Sequence, residues 1–342
     1  MIDSGRYTSG RIALANLSAS IGPLERRRIA GSRFEDLAAL SGLLFVRGDL
    51  LGRIADHDRA ELVAIEAITL APARAPALYL HAQLAGRFHR FKDAGALLDQ
   101  ALAAGQPKED IDAERASLLQ ATGRYREALG IREIAARERR SIRTLGSLAS
   151  LLDEMGRPAE ADALYDAALE ADDGPSPIPA AMLLFERAVG AMRRADLDRA
   201  EAIFAQLQLI MPQHVPARGH RAEVALARGD VDAAAALVEP LLEISDDPEY
   251  RALHAQILAA RGDPGADAEA RRAAGAYDAL LARRPEAYAD HAAAFFMGIG
   301  NRPQRSVDLA WANRELRDTP RARRLLAAAL RSNHPHSGAR PS

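Results

Sequence analysis

The chain contains no cysteine. Disulfides, thiolate chemistry and cysteine-ligated metal are thereby excluded, while the compartment stays open. Lysine occurs only at Lys92 and Lys108, so arginine carries nearly all the positive charge. Aromatic residues make up only 5% of the chain. Charge of one sign is also lacking: the net charge is -2, which gives no overall basic excess and no expectation of nucleic-acid binding. No run approaches the ~18 to 20 apolar residues of a membrane span, so no membrane insertion is expected. The start of the chain has no basic region followed by a continuous apolar stretch, so a secretory signal is not expected and a cytoplasmic protein is.

Catalytic signatures are missing too. There is no zinc-protease His-Glu-x-x-His, no Walker loop and no Gly-x-Ser-x-Gly elbow. Gly298-Ile299-Gly300 follows no strand and reads as a helix connection. Asp56-His57-Asp58 invites a metal or relay reading, but adjacent residues rarely converge on one ligand, and the triplet reads as solvated turn residues. Asp290 and His291 read as the start of a helix, the aspartate capping it. His334 and His336 lie in a polar stretch too loose for a metal site. No enzyme, cofactor or metal centre is expected.

What the sequence has is a recurring phrase: ADHDRA (55–60), HRFKDA (89–94), GRYREA (123–128), GRPAEA (156–161), ADLDRA (195–200) and GDVDAA (229–234). Its closing alanines, Ala60, Ala94, Ala128, Ala161, Ala200 and Ala234, are separated by 34, 34, 33, 39 and 34 residues. A fixed period of this size marks a stack of supersecondary units, not one compact core. Each phrase lies between two helical patterns. In the third unit, Ala113, Ala116 and Leu119 share one face, Gly123 breaks the helix, and Ala128, Ile131 and Ala135 face inward on the next. Ala116 and Ala128 are placed at the crossing within the pair, and Ala135 at the contact with the next pair. Pro158, Pro264 and Pro303 follow the break, where a missing N–H costs nothing.

These features together resemble the tetratricopeptide-repeat family. Ala60, Ala67 and Pro72 match its pattern in the first clear unit. Leu145, Ala149, Gly156, Ala161, Tyr165 and Ala168 match in the fourth, and Ala188, Ala200, Phe204 and Pro212 in the fifth. The resemblance covers residues 41–330, and its C-terminal stretch is similar to the terminal portion of bacterial proteins of this type. It implies an all-α fold: a right-handed α-solenoid of stacked antiparallel helix pairs, about eight repeats plus a C-terminal capping helix. The expected organisation is a degenerate N-terminal helical pair (1–40), a four-repeat sub-array (41–173), a longer loop or hinge (174–181), a second sub-array with a cap (182–331) and a disordered tail (332–342).

The resemblance also implies a concave groove lined by the first helix of each pair. Transferred by register, the groove positions are Phe45, Asp49, Arg53, Tyr79, Gln83, Arg87, Arg143, Phe185, Arg193, Glu223 and Gln256. Asp110, Glu114, Ser117, Ser150, Asp153, Val189 and His220 fall on the same faces. The lysine and asparagine set with which one subgroup clamps a terminal carboxylate is absent. Arg53, Arg87 and Arg193, with Tyr79 and Phe185, suit an acidic or aromatic-bearing peptide; the plainer reading is a solvated helix face. The expected function is a non-catalytic scaffold for a protein or peptide partner. The alternatives are an accessory subunit of a membrane-associated or secretion assembly, contacting partners by its convex face or ends, and a small-molecule sensor or unrecognised enzyme.

Overall fold

The computed structural model describes residues 4–333. After a short 3-10 turn (Ser4–Arg6), α1 (Gly10–Ala30) leads into serial helix pairs. The pairs are α2 (Phe34–Leu51) with α3 (Ile54–Leu70), α4 (Ala75–Arg87) with α5 (Phe91–Ala103), α6 (Lys108–Ala121) with α7 (Tyr125–Glu138), and α8 (Ile142–Glu154) with α9 (Pro158–Glu170). The array continues with α10 (Ile178–Arg193) and α11 (Leu197–Ile210), then α12 (Val215–Ala227) and α13 (Val231–Val238). A single-turn α14 (Leu241–Ile244) precedes the last pairs, α15 (Pro248–Ala260) with α16 (Ala266–Arg283) and α17 (Pro285–Met297) with α18 (Pro303–Leu316). Helix α19 (Pro320–Asn333) packs on α17 and α18 and closes the stack. The fold is therefore all-helical among the described residues, with pairs stacked one on the next. Asn333 still belongs to α19, and the rest of the expected tail, residues 334–342 with His334 and His336, lies outside the described residues.

Local chemistry accounts for the repeat. The six closing alanines of the phrase are at most 1% exposed, because the two helices of a pair cross there and only a methyl group fits. In the third unit the inward residue near the end of α7 is Ala136, at 7% exposure; Ala135 is only half-buried. Most units turn through one left-handed residue at the start of the phrase, glycine at Gly123, Gly156 and Gly229 but His89 and Ala195 in two others. The first unit departs from the pattern. Its left-handed residue is Gly52, three positions before the phrase, so Asp56, His57 and Asp58 lie within α3 instead of a turn. They are not solvated turn residues: Asp56 pairs with Arg47, His57 with Asp49, and Asp58 with Arg284. Asp290 caps no helix either. It sits mid-helix in α17, 5% exposed and bonded to Arg317 at 2.6 Å.

The stack curls until its beginning meets its end. At the α2–α3 turn, the Ser245 hydroxyl donates to the Gly52 carbonyl and Arg53 Nε donates to the Ile244 carbonyl at 3.0 Å. The Asp246 carboxylate accepts from the backbone N–H groups of Ile54 (2.6 Å) and Ala55 (3.0 Å). Helix α3 has no side-chain cap of its own; Asp246, almost 200 residues downstream, supplies it. Further along this seam, Arg284 pairs with Asp58 at 2.6 Å and with Glu61, and lies over the Phe88 ring at 4.2 Å. His89 Nδ1 donates to the Glu286 carbonyl at 2.9 Å. A core cluster crosses the same boundary, joining Leu50 and Leu51 to Phe204, Leu207, Met211 and Tyr250. The long connection between α9 and α10 is clasped by the N-terminal arm: the Tyr7 hydroxyl donates to Asp172 at 3.1 Å, and the Thr8 N–H to the Pro175 carbonyl at 2.8 Å.

Candidate functional site

Closure turns the concave face into a lumen, and the first helices of the pairs line it. Three adjoining cavities follow one another along it. The first, about 710 Å³, lies between α2, α4 and α6 and is mainly apolar, with Phe34, Phe45, Tyr79, Leu80, Leu84 and Leu118 around Gln83, Arg87 and Glu114. Burial pushes the Glu114 carboxyl up, against a stabilising bond from Gln83. A charged wall separates this cavity from the next. Arg87 stacks over Phe45 at 4.4 Å and pairs with Asp49, whose Oδ1 is also 3.0 Å from His57 Nε2. Burial alone would raise the Asp49 carboxyl, but His57 and Arg87 together hold it below its usual range.

The second cavity, about 630 Å³, is bounded by α2, α10, α12, α15 and α17. Six carboxylates line it, Asp49, Glu186, Glu223, Asp247, Glu249 and Asp290, against two arginines, Arg193 and Arg321. His57, His220 and His291 stand among them. His220 lies 5.5 Å from the Phe185 ring and donates from Nδ1 to the Glu223 carboxylate at 2.8 Å. Burial pulls its pKa down, but the hydrogen bond and charge of Glu223 outweigh this and raise it. His214 is different: burial lowers it to about 4, and its Nδ1 accepts from the Ala217 N–H, so it is a neutral helix cap. Burial, reinforced by Glu249, pushes the Asp247 carboxyl up to about 7. Asp290 behaves in the opposite way. Burial works against its charge, yet His291, Arg317 and Arg321 hold it well below the usual range.

The third cavity, about 640 Å³, lies between α6, α7, α8, α10 and the last three helices. Here six arginines, Arg132, Arg193, Arg194, Arg317, Arg321 and Arg324, meet three carboxylates, Asp153, Glu154 and Asp290. Arg194 pairs with Asp153, Arg193 with Glu154 at 3.4 Å, and Arg317 with Asp290. Arg132 is 8% exposed, donates to the Ser147 carbonyl, and is lowered to about 10 by burial. Arg193, Asp290 and Arg321 line both the second and third cavities, so the two compartments share a border.

The structure brings most of the sequence-derived positions together here. Phe45, Tyr79, Gln83 and Arg87 line the first cavity, and Asp49, Phe185, Arg193, Glu223 and Gln256 the second. Arg143 lines a shallower recess of about 340 Å³ with Ser150. Arg53 is not among them; it belongs to the seam. The arginines offered for an acidic ligand are not free. Arg53 is spent on Ile244, Arg87 on Asp49 and Arg193 on Glu154. Of the remaining groove residues, Glu114 and Ser117 line the first cavity, Val189 and His220 the second and Asp153 the third, while the Asp110 carbonyl accepts from Tyr79 at 3.3 Å. Sequence reasoning stopped at the seventh unit and missed Asp290 and His291, which the same register would have reached one unit later. Arg321 and Arg324 lie on the capping helix, where no repeat pattern points to a groove.

Residues 191–257 match the family model described as tetratricopeptide repeat. No curated protein matches the sequence. Among solved structures, the chain is similar to the human IFIT1 dimer with PPP-AAAA, at 16% identity and a TM-score of 0.57, over 88% of this chain and 73% of that one. It is also similar to a Rap protein complexed with competence and sporulation factor, at 14% identity and a TM-score of 0.56, over 93% and 98% of the two chains. At these identities the likeness is one of fold. Residues 191–257 thus carry a tetratricopeptide-repeat match, and the paired-helix stack on either side of them has the same kind of fold.

Proposed function

We propose that this protein is a non-catalytic cytoplasmic scaffold that binds a peptide segment of a partner protein inside its lumen. The observation that carries this reading is the convergence of first-helix side chains from successive pairs on adjoining cavities of 630 to 710 Å³, each within the usual range of a ligand pocket. Fold alone does not choose the occupant. The two similar folds are described with unlike occupants, PPP-AAAA and competence and sporulation factor. The lining chemistry here, aromatic at one end and charged beyond, favours a polypeptide, which carries apolar and charged side chains on one strand.

A random-peptide library selected on the wild-type protein tests this. Binders are then measured on a lumen variant carrying Tyr79→Ala, Gln83→Ala and Gln256→Ala, and on an outer-face variant carrying Leu62→Glu, at a side chain 57% exposed. Binding lost in the first and kept in the second is expected. The converse rejects the lumen and favours contact through the convex face.

A further inference from the structure

Two neighbouring compartments of the lumen carry opposite charge imbalances, and their internal pairings leave particular groups over. In the third cavity, Arg132, Arg321 and Arg324 have no hydrogen-bonded carboxylate among the described residues; Arg321 comes closest, 3.6 Å from Asp290. In the second cavity, Glu186 and Glu249 have no hydrogen-bonded cation; Glu249 lies 3.9 Å from His291. At the border stands Asp290, 5% exposed, with Oδ2 bonded to Arg317 and Oδ1 without any hydrogen-bond partner. Its nearest cation on that side is His291 Nε2, 3.9 Å away. A buried carboxylate oxygen with no donor is costly, and a donor from an occupant would remove that cost.

We propose that the lumen reads charge order: it binds an extended peptide segment that places acidic side chains among Arg132, Arg321 and Arg324 and, next to them, a basic side chain that donates to Asp290 Oδ1 between Glu186 and Glu249. This rests on the scaffold reading above and names the chemistry of the partner. A polyanion such as a nucleic acid fits the arginine compartment better, because its next phosphates would meet a compartment where six acidic side chains face two arginines and three histidines. An all-basic segment meets the same obstacle on the other side. Like charges juxtaposed in an interface repel, so the two compartments each select against the other's ligand. A free amino acid carries both charges, but each compartment exceeds 600 Å³, so it would fill neither.

The test uses short fluorescein-labelled synthetic peptides: an aspartate block followed by an arginine block, the same blocks in reverse order, all-aspartate, all-arginine, and an unlabelled oligo-adenylate competitor. Binding to the full chain is followed by anisotropy at low salt and at about 0.3 M salt. One mixed-block order is expected to bind about tenfold or more tighter than either single-sign peptide, with the advantage shrinking in high salt. Arg321→Glu with Arg324→Glu is expected to weaken the mixed peptide and the all-aspartate peptide while sparing all-arginine. Glu186→Gln with Glu249→Gln is expected to do the reverse. Thermal melts establish that each variant is folded, and Arg324→Gln alone, at an exposed side chain, repeats the first test in milder form. Single-sign peptides binding as tightly as the mixed ones, displacement of the mixed peptide by oligo-adenylate, or no binding by any of the peptides would each overturn the charge-order inference. The library selection decides separately whether the lumen binds peptides at all, so the scaffold reading can stand when this one falls.

Discussion

The turn at the start of the repeat phrase is built the same way at Gly123 and at Gly229, with φ of 83° and 80°, yet the two sit in different worlds. A side chain added at Gly229 would meet nothing within 4 Å, whereas at Gly123 it would come 2.5 Å from the Asp318 carbonyl. The early turns, at Gly52, His89 and Gly123, are gripped by later units of the chain; the turns at Gly156, Gly229 and Gly262 face open space. The repeat therefore sets the turn, while position in the coil decides whether the turn also carries a long-range contact. Ordinary repeat arrays have only nearest-neighbour coupling. Here the seam adds coupling between the ends, and unfolding is expected to be more cooperative than the repeat count suggests.

The largest test of that contrast is Arg284→Ala. It leaves Glu61, 22% exposed, without its guanidinium and Asp58 with Arg283 alone, and is expected to cost about 2 to 3 kcal/mol in denaturant unfolding. An exposed pair inside one unit, Arg124 with Glu127, is screened by solvent, and Arg124→Ala is expected to leave stability nearly unchanged. Next come the glycines. Gly229→Ala is expected to cost about 1 to 2 kcal/mol from the left-handed backbone alone, and Gly123→Ala distinctly more because the seam must also shift. If thermal melts give equal losses, the seam contributes nothing at that turn. Asp246→Ala removes the cap supplied to α3 from across the seam and is expected to cost about 1 kcal/mol, much as Asp230→Ala costs the local cap of α13. Only the former is expected to speed hydrogen exchange in both α3 and the α14–α15 turn.

The smallest effect concerns pH. Asp247, pushed up to about 7 by burial and Glu249, favours the native state while protonated; that contribution is complete below the ordinary aspartate range and is lost as pH rises through about 7. Asp247→Asn keeps the cap to the Glu249 N–H. Its Tm advantage over wild type is expected to grow to about 2 °C between about pH 4 and pH 7 and then level off. A flat difference across that range would show that the site does not raise this carboxyl. Asp290, held low by its cations, has the opposite sign: its support is present above the usual carboxylate range and lost as pH falls.

The helix pairs were legible because their causes are local and periodic. Buried alanines such as Ala94 and Ala161 recur once per unit, and a left-handed residue, most often glycine, marks each break. The groove was legible in part for the same reason, since register transfers from unit to unit. The seam was not. Nothing near Arg53 announces Ile244, and nothing near Asp58 announces Arg284, because those partners are brought together only when the curvature of every pair accumulates into a full turn. The Asp56-His57-Asp58 triplet looked like loop polarity for this reason. Each of its side chains is explained by a partner on another helix, including one at the far end of the array. Asp290 was misread by the opposite error, a local cap rule applied to a residue whose helix begins five positions earlier.

The clasp between Asp246, Arg284 and the early turns also bears on traffic. A solenoid left open along its flank lets a ligand drop in sideways, at the pace of ordinary encounter. This one is buttoned there by Asp246 and Arg284, so the proposed peptide would have to enter through an end of the bore or wait for the buttons to part. Either route would slow arrival and departure alike, which would suit a long-held passenger better than a fleeting one.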